Sequence, residues 1–468
     1  MFRKISLALL FPAIAFATPT RVVSLGDQNF FIEDESNVFL FPAAVSRNGQ
    51  YFSLDLASNI APNGTTAGPV AGAPPATTSQ LSQLQQTAGG GAFLRMGQKL
   101  TLGVWTSDYT DSTVGNFFTS VSHFPADANK GKFETLATLA GLATGSPERK
   151  YDVFASYLLG ETLAGAVHLS YGSDGATAVD TKAKRDPDSF TAREVRLSMG
   201  LSSGGKDDDG FDTKLEIQHF GADYTLDGQS QFVNGTLGLG NGADLTARYR
   251  MKVSPYWTFV PGFKYAVQSF SLREDSLLGP FGSPKHTDLP AAEARDHSMT
   301  NHTLVFLAGG KLKATDRVNF WGSVGVGFAY SGASAKINLK NGGPTNNVTL
   351  GESTWIWMAP SVRMGLEAQL NDWLVFRGGV RKDVLYKSGD KSLDDPNTSG
   401  NSKDAQTFGD LGINEGVAGW AGFVGFGVKY SGLVADLLFD PQFFFRGPNF
   451  VSGASGNLAT RATLSYAF

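Results

Sequence analysis

From Asn319 to Ser331 the chain alternates with a period of two. Phe320, Gly322, Val324, Val326, Phe328 and Tyr330 fall on one face, and Asn319, Trp321, Ser323, Gly325, Gly327 and Ala329 on the other. Successive side chains of an extended backbone point to opposite sides, so this pattern predicts a strand and not a helix. From Trp355 to Leu370 the faces are again distinct: Ile356, Met358, Pro360, Val362, Met364, Leu366 and Ala368 against Arg363, Glu367 and Gln369. Segments of the same kind recur along the chain, among them Leu94 to Trp105, Thr213 to Phe220, Ala243 to Val253 and Arg461 to Phe468. Together they predict about 14 strands. Tyr51 to Leu56 reads either as one more strand or as part of an N-terminal segment, and a strand hidden between Asp108 and Gly145 would raise the number to about 16.

The connections divide into two kinds. Thr315-Asp316-Arg317, Asn371-Asp372, Ser254-Pro255 and Ser431-Gly432 suit tight turns, whereas 272–301, 332–353, 387–415 and 440–457 are long. Alternating strands with short turns at one end and long loops at the other predict an all-β fold, a transmembrane antiparallel β-barrel with short periplasmic turns and long extracellular loops. Residues 58–91, rich in Ala, Thr, Gly and Pro and almost uncharged, read as a flexible loop.

The ends of the chain place this barrel. Arg3 and Lys4 precede an apolar run from Ile5 to Phe16 and an Ala15-Phe16-Ala17 site, which reads as a signal peptide over residues 1–17. Residues 18–48 then form an N-terminal lumenal, hatch-like segment and 49–468 the barrel. The closing Leu464-Ser465-Tyr466-Ala467-Phe468 has the alternation and terminal aromatic that barrel-assembly machinery reads. The expectation is an integral protein of the bacterial outer membrane, in contact with its lipid and lipopolysaccharide. With no Cys in the chain, disulfides, thiolate metal sites and cysteine nucleophiles are excluded. A net charge of -4 gives no reason to expect a nucleic-acid partner.

If apolar faces meet lipid, the opposite faces line the lumen. Those faces carry Arg248, Arg250, Lys264, Arg363, Glu367, Arg377, Arg381 and Asp383. Basic groups exceed acidic ones there, so an open lumen would draw anions, while the same charges could equally brace the wall as ion pairs. Tyr171, Trp257, Tyr330, Tyr386, Trp420 and Tyr430 fit interfacial belts or ordinary packing.

Enzymatic chemistry finds little support, and neither a cofactor nor a metal is expected. His297 and His302, near Glu293 and Asp296 in an expected external loop, match no ligand spacing. His168 falls on the lumen side near Ser170 without a defined base or orienting group. Lys206-Asp207-Asp208-Asp209-Gly210 lacks the alternating ligands of a calcium loop and reads as a charged turn.

The stretch Ser24 to Ser46, SLGDQNFFIEDESNVFLFPAAVS, resembles the mature start of FadL-like outer-membrane transport proteins. Asp34, Ser36, Asn37, Val38, Phe39, Pro42 and Ala43 stand where that family has an acidic, Asn-Pro-containing segment, and Phe41 replaces the Asn before the Pro. The resemblance implies a barrel with an N-terminal hatch containing Asn37, Phe39, Phe41, Pro42 and Ala43, and passive transport of a small, hydrophobic molecule. Two other readings stand beside it: a polar, weakly anion-selective porin, and a surface or structural barrel with a closed lumen.

Overall fold

The computed structural model describes residues 18–26, 28–48, 50–57, 86–109, 148–178, 188–205, 209–228, 231–273, 293–339, 347–394, 406–413, 420–439 and 459–468. The expected signal peptide, 1–17, lies outside them, as do 58–85, 110–147 and residues 206–208 of the charged turn.

The strands are β1 (Tyr51–Ala57), β2 (Gln86–Met96), β3 (Leu100–Tyr109), β4 (Glu148–Leu158), β5 (Leu163–Ala178), β6 (Asp188–Ser203), β7 (Gly210–Gly228), β8 (Gln231–Lys252) and β9 (Trp257–Arg273). They continue as β10 (Glu293–Lys313), β11 (Val318–Leu339), β12 (Asn347–Gln369), β13 (Leu374–Asp394), β14 (Gln406–Ile413), β15 (Trp420–Tyr430), β16 (Leu433–Phe439) and β17 (Ala459–Ala467). Each pairs antiparallel with its neighbours, and β1 pairs with both β2 and β17, which closes the sheet on itself. Sixteen strands form the closed wall, and β14 is an additional short strand beside the far part of β13, in line with β15.

The number is 16 for two reasons visible in the backbone. Tyr51–Ala57 is a full strand that seals the seam, from Tyr51 opposite Ala467 to Ala57 opposite Arg461. Leu94 to Trp105, expected as one strand, is a hairpin that reverses at Gly97, whose φ of 67° lies in the region glycine enters without steric cost. Residues 86–91 of the expected flexible loop are the first half of β2. Several expected loops are also partly strand: β10 begins at Glu293, β11 runs to Leu339 and β13 to Asp394. The β10 and β13 extensions are polar on both faces, as in Lys387-Ser388-Gly389-Asp390-Lys391, and show no apolar alternation, whereas in β11 Ala333, Ala335, Ile337 and Leu339 continue the alternation into the expected loop.

The wall is apolar outside and polar inside. Phe52, Leu54 and Leu56 of β1 are exposed while Ser53 and Asp55 between them are buried, and β7 repeats this with Leu215 and Ile217 outside and Lys214 and Glu216 inside. Trp257, Trp373, Tyr430 and Phe468 are exposed at the short-turn end, where they ring the outer surface with aromatic groups. One expected face is broken. In β12 the register shifts between Met358 and Ser361, where Pro360 has no N–H to give the ladder. Beyond that bulge the faces exchange: Met364 points out, but Met358 points in and Trp355 and Trp357 point out.

Candidate functional site

Residues 18–48 lie inside the barrel, and almost all of those described are buried. The segment starts with α1 (Pro19–Ser24), whose first residue Pro19 has the fixed φ that a helix start accepts. Thr18 caps it, its Oγ1 accepting from the Arg21 N–H at 3.2 Å and donating to Asp436 of β16 at 2.5 Å. Two short helices follow, α2 (Asn37–Leu40) and α3 (Val45–Asn48), with a 3-10 turn at Pro42–Ala44 between them.

Ion pairs fasten this plug near the short-turn end of the wall. Glu367 of β12 receives Arg21 Nε at 2.6 Å and Nη2 at 3.1 Å, and also Arg377 Nε of β13 at 2.8 Å. Arg377 reaches on to Asp436 at 2.5 Å, so plug and wall share one chain of alternating charges. Burial works against the Arg21 charge, yet Glu367, Asp34 and Asp436 together outweigh it and hold the guanidinium above its ordinary pKa. On the opposite side Glu33 of the plug meets Arg250 at 2.8 Å and Arg47 at 3.5 Å. Asp212 of β7 takes Arg47 at 2.5 Å and Arg248 at 2.8 Å. The charged layer therefore has its anions supplied jointly by plug and wall.

Apolar contacts fill the space between. Phe30, Phe31, Leu40 and Phe41 pack with Val260, Val305, Leu307 and Met358, and Val38, Phe39 and Val45 pack with Tyr51, Phe93, Trp105 and Phe154. Val22, Leu25 and Ile32 close on Trp321. Where the plug backbone runs closest to the wall there is no room for a side chain: a Cβ on Gly379 would lie 2.2 Å from the Gly26 nitrogen. Every one of the sixteen wall strands touches the plug through at least one residue, from Tyr51 in β1 to Thr463 in β17. Contact with the segment thus runs around the whole wall at this level.

The five hatch residues sit in the plug. Asn37 Nδ2 donates to the Asn29 carbonyl at 2.6 Å, and its Oδ1 accepts from the Asp34 N–H at 2.8 Å, tying the 29–37 loop. Phe39 meets Trp105 and Phe154 edge-on at 5.6 Å, and Phe41 lies under the Arg248 guanidinium at 4.5 Å. Pro42 and Ala43 form the 3-10 turn, with the Ala43 carbonyl accepting from Ser46 Oγ at 2.8 Å. Burial pushes the Asp34 carboxyl up to about 6, against hydrogen bonds from Ser36 and the nearby Arg21 charge.

The eight lumen residues all face inward. Besides those already placed, Lys264 pairs with Asp244 at 3.1 Å, Ser361 Oγ donates to Asp383 at 2.5 Å, Arg381 approaches Asp383 at 3.5 Å, and Arg363 is buried. Sequence reasoning missed the plug's own charges, Arg21, Glu33 and Arg47, because their wall partners Glu367, Arg250 and Asp212 stand far along the chain.

His168 has Asp152 on its Nε2 at 2.8 Å and Ser198 Oγ on its Nδ1 at 3.3 Å, with Phe154 stacked on its ring. Ser198, not Ser170, completes this order of groups, but its hydroxyl donates to Glu216 at 2.7 Å and is fully buried. The set braces the wall. His297 and His302 stand in β10 and not in a loop. They point to opposite faces, His297 buried inside and His302 bonded to Tyr265 at 3.1 Å, so they cannot share a metal.

No family model matches the sequence, and no curated protein matches it. Among solved structures, the chain is similar to the toluene transporter TodX of Pseudomonas putida, with 9% identity, 96% of each chain covered and a TM-score of 0.34. The CymD monoaromatic hydrocarbon channel gives 10% identity, 97% of this chain, 98% of that one and a TM-score of 0.33. The ferric yersiniabactin receptor FyuA of Yersinia pestis gives 9%, 89%, 79% and 0.35.

Proposed function

We propose that the protein is an integral outer-membrane barrel that passes a small, largely apolar molecule passively, with residues 18–48 as its plug. The observation that carries this reading is the ring of contacts by which all sixteen strands hold that segment inside the lumen. A water-filled pore would keep its lumenal charges hydrated and open. Here Arg248, Arg250, Lys264 and Arg377 are buried in ion pairs, which supports a closed lumen over an anion-selective one. The apolar outer face supports a lipid surround.

Uptake by intact cells tests the reading. Cells carrying the protein should take up labelled ethylbenzene faster than cells without it, and benzoate at an unchanged rate. Equal acceleration of both would establish a polar pore, and acceleration of neither a surface role.

A further inference from the structure

On β3 to β7 the apolar outer face gives way to a charged row at the long-loop end. Asp108 stands opposite Arg149, Arg149 opposite Ser173, Ser173 opposite Arg193, and Arg193 opposite Gly221. Arg149 shares its parity with exposed Tyr151 and Val153, Ser173 with Leu169 and Tyr171, and Arg193 with Val195 and Leu197, so the row faces outward. A strand crosses the hydrocarbon core in about 9–11 residues. Since β5 leaves its short turn at Leu163, Ser173 lies where the wall emerges from the acyl chains on the long-loop side. Across β9–β12 the outward groups near that boundary are the rings of Tyr265, His302, Tyr330 and Trp355 instead.

The order of charges matters. The guanidiniums form the inner pair and the carboxylates the outer one: Asp108 lies beyond Arg149, and Asp223, the ion-pair partner of Arg193, lies on β7 beyond Arg193. Both arginines are exposed, and Arg149 has no carboxylate at ion-pair distance among the described residues. Neighbouring strands lie about 4.8 Å apart, so the two arginine backbones stand about 10 Å apart with Ser173 midway. Their long stems let both guanidiniums close on one anion above the Ser173 hydroxyl, where Gly175, the next outward residue, has no side chain in the way. An anion held there is nearer to both cations than to either carboxylate. Beneath it Tyr151 and Tyr171, then Val153, Leu169 and Leu197, make an exposed apolar strip.

We propose that Arg149, Ser173 and Arg193 form a docking site on the outer wall for a phosphorylated lipid of the outer leaflet. The two guanidiniums hold its phosphate, and its acyl chains run down Val153, Leu169 and Leu197. Guanidinium forks match phosphate oxygens through charge-assisted hydrogen bonds, and tyrosines suit the depth at which headgroup meets chain. A free phosphate gains nothing from the apolar strip, whereas a lipid uses row and strip together. The site goes beyond the transport reading: it rests on a lipid-embedded barrel with its long loops outward, and not on what the lumen passes.

Native mass spectrometry of the folded chain in detergent, offered equal amounts of diphosphoryl lipid A and the same lipid stripped of phosphate, provides the test. The phosphorylated form should be retained about tenfold more. Arg149→Gln/Arg193→Gln should abolish that preference, and Asp108→Asn should strengthen it by removing a flanking negative charge. Arg317→Gln, an exposed cation at the short-turn end, should leave it as it was. Heat-modifiable gel migration shows whether each variant is still a folded barrel. Equal retention of the two lipids, or a preference that survives the double substitution in a folded barrel, overturns the site. Complete displacement of the lipid by an equal concentration of inorganic phosphate would show a site for free anions and overturns it too. Ethylbenzene uptake by cells decides the transport reading separately, so either can fail alone.

Discussion

Replacing Glu367 by Gln should release the plug. In the native arrangement this carboxylate holds Arg21 of the plug through two hydrogen bonds, at 2.6 and 3.1 Å, and Arg377 of the wall through one at 2.8 Å. Gln keeps the shape and removes the charge. Arg377 would still have Asp436 at 2.5 Å, but Arg21 has no other carboxylate at contact distance among the described residues. Leaving a buried charge without its partner costs about 3–5 kcal/mol. At about 1.4 kcal/mol per decade, that multiplies the undocked population roughly a hundred- to a few-thousand-fold. Arg21→Met is the milder change, because Glu367 keeps Arg377 and no charge is stranded; about 1–3 kcal/mol is expected from the lost hydrogen bonds. Combining the two should cost less than their sum, since Arg21→Met removes the charge that Glu367→Gln strands. The frequency of ion-conducting openings in planar bilayers reads the undocked population directly. Should Glu367→Gln stay as quiet as the native protein, or Arg21→Met open more often than Glu367→Gln, the claim that this carboxylate anchors the plug is wrong.

Three further outcomes follow from the geometry. Thr20 and Thr463 hydroxyls meet at 2.5 Å across plug and wall, and the chain has no Cys of its own, so oxidised Thr20→Cys/Thr463→Cys should lock the plug and suppress the openings of Glu367→Gln until a reductant is added. Persistence of openings after verified oxidation would contradict a plug that must leave this position. Asp34 is pushed from 3.8 up to about 6, so the docked plug holds its proton more tightly than a hydrated one. Docking is then strongest below pH 3.8 and weakens as pH rises to about 6, by roughly 3 kcal/mol in all, with no further change above. Openings recorded from pH 4.5 to 7.5 should grow more frequent, and Asp34→Asn should flatten that profile. Ile217→Arg, on the exposed apolar side of β7, should cost about 2–4 kcal/mol and reduce folding into lipid vesicles, whereas an unaltered folding yield would argue against that face meeting acyl chains.

The barrel was legible because its outward face carries Leu, Val, Phe and Tyr at every second position, which also assigned Arg248, Arg363 and Arg377 to the inside. Three features escaped the pattern for physical reasons. Across the Gly97 turn the outward residues Leu94, Met96, Leu102 and Val104 keep even parity, so the reversal of the chain leaves no mark on the alternation. At Pro360 the opposite happens: the alternation reads as continuous while the bulge turns Met358 inward. The plug's composition announced an apolar segment, but the pairing of Arg21 with Glu367 spans 346 residues and exists only once the barrel closes.

The central claim is that residues 18–48 fill the lumen of a lipid-embedded barrel. Single-channel recording of residues 18–468 beside residues 49–468 tests it most directly. The native chain should show no steady conductance and the shortened one a stable, ohmic pore. A native chain that conducts steadily, or a folded shortened barrel that stays silent, would contradict it.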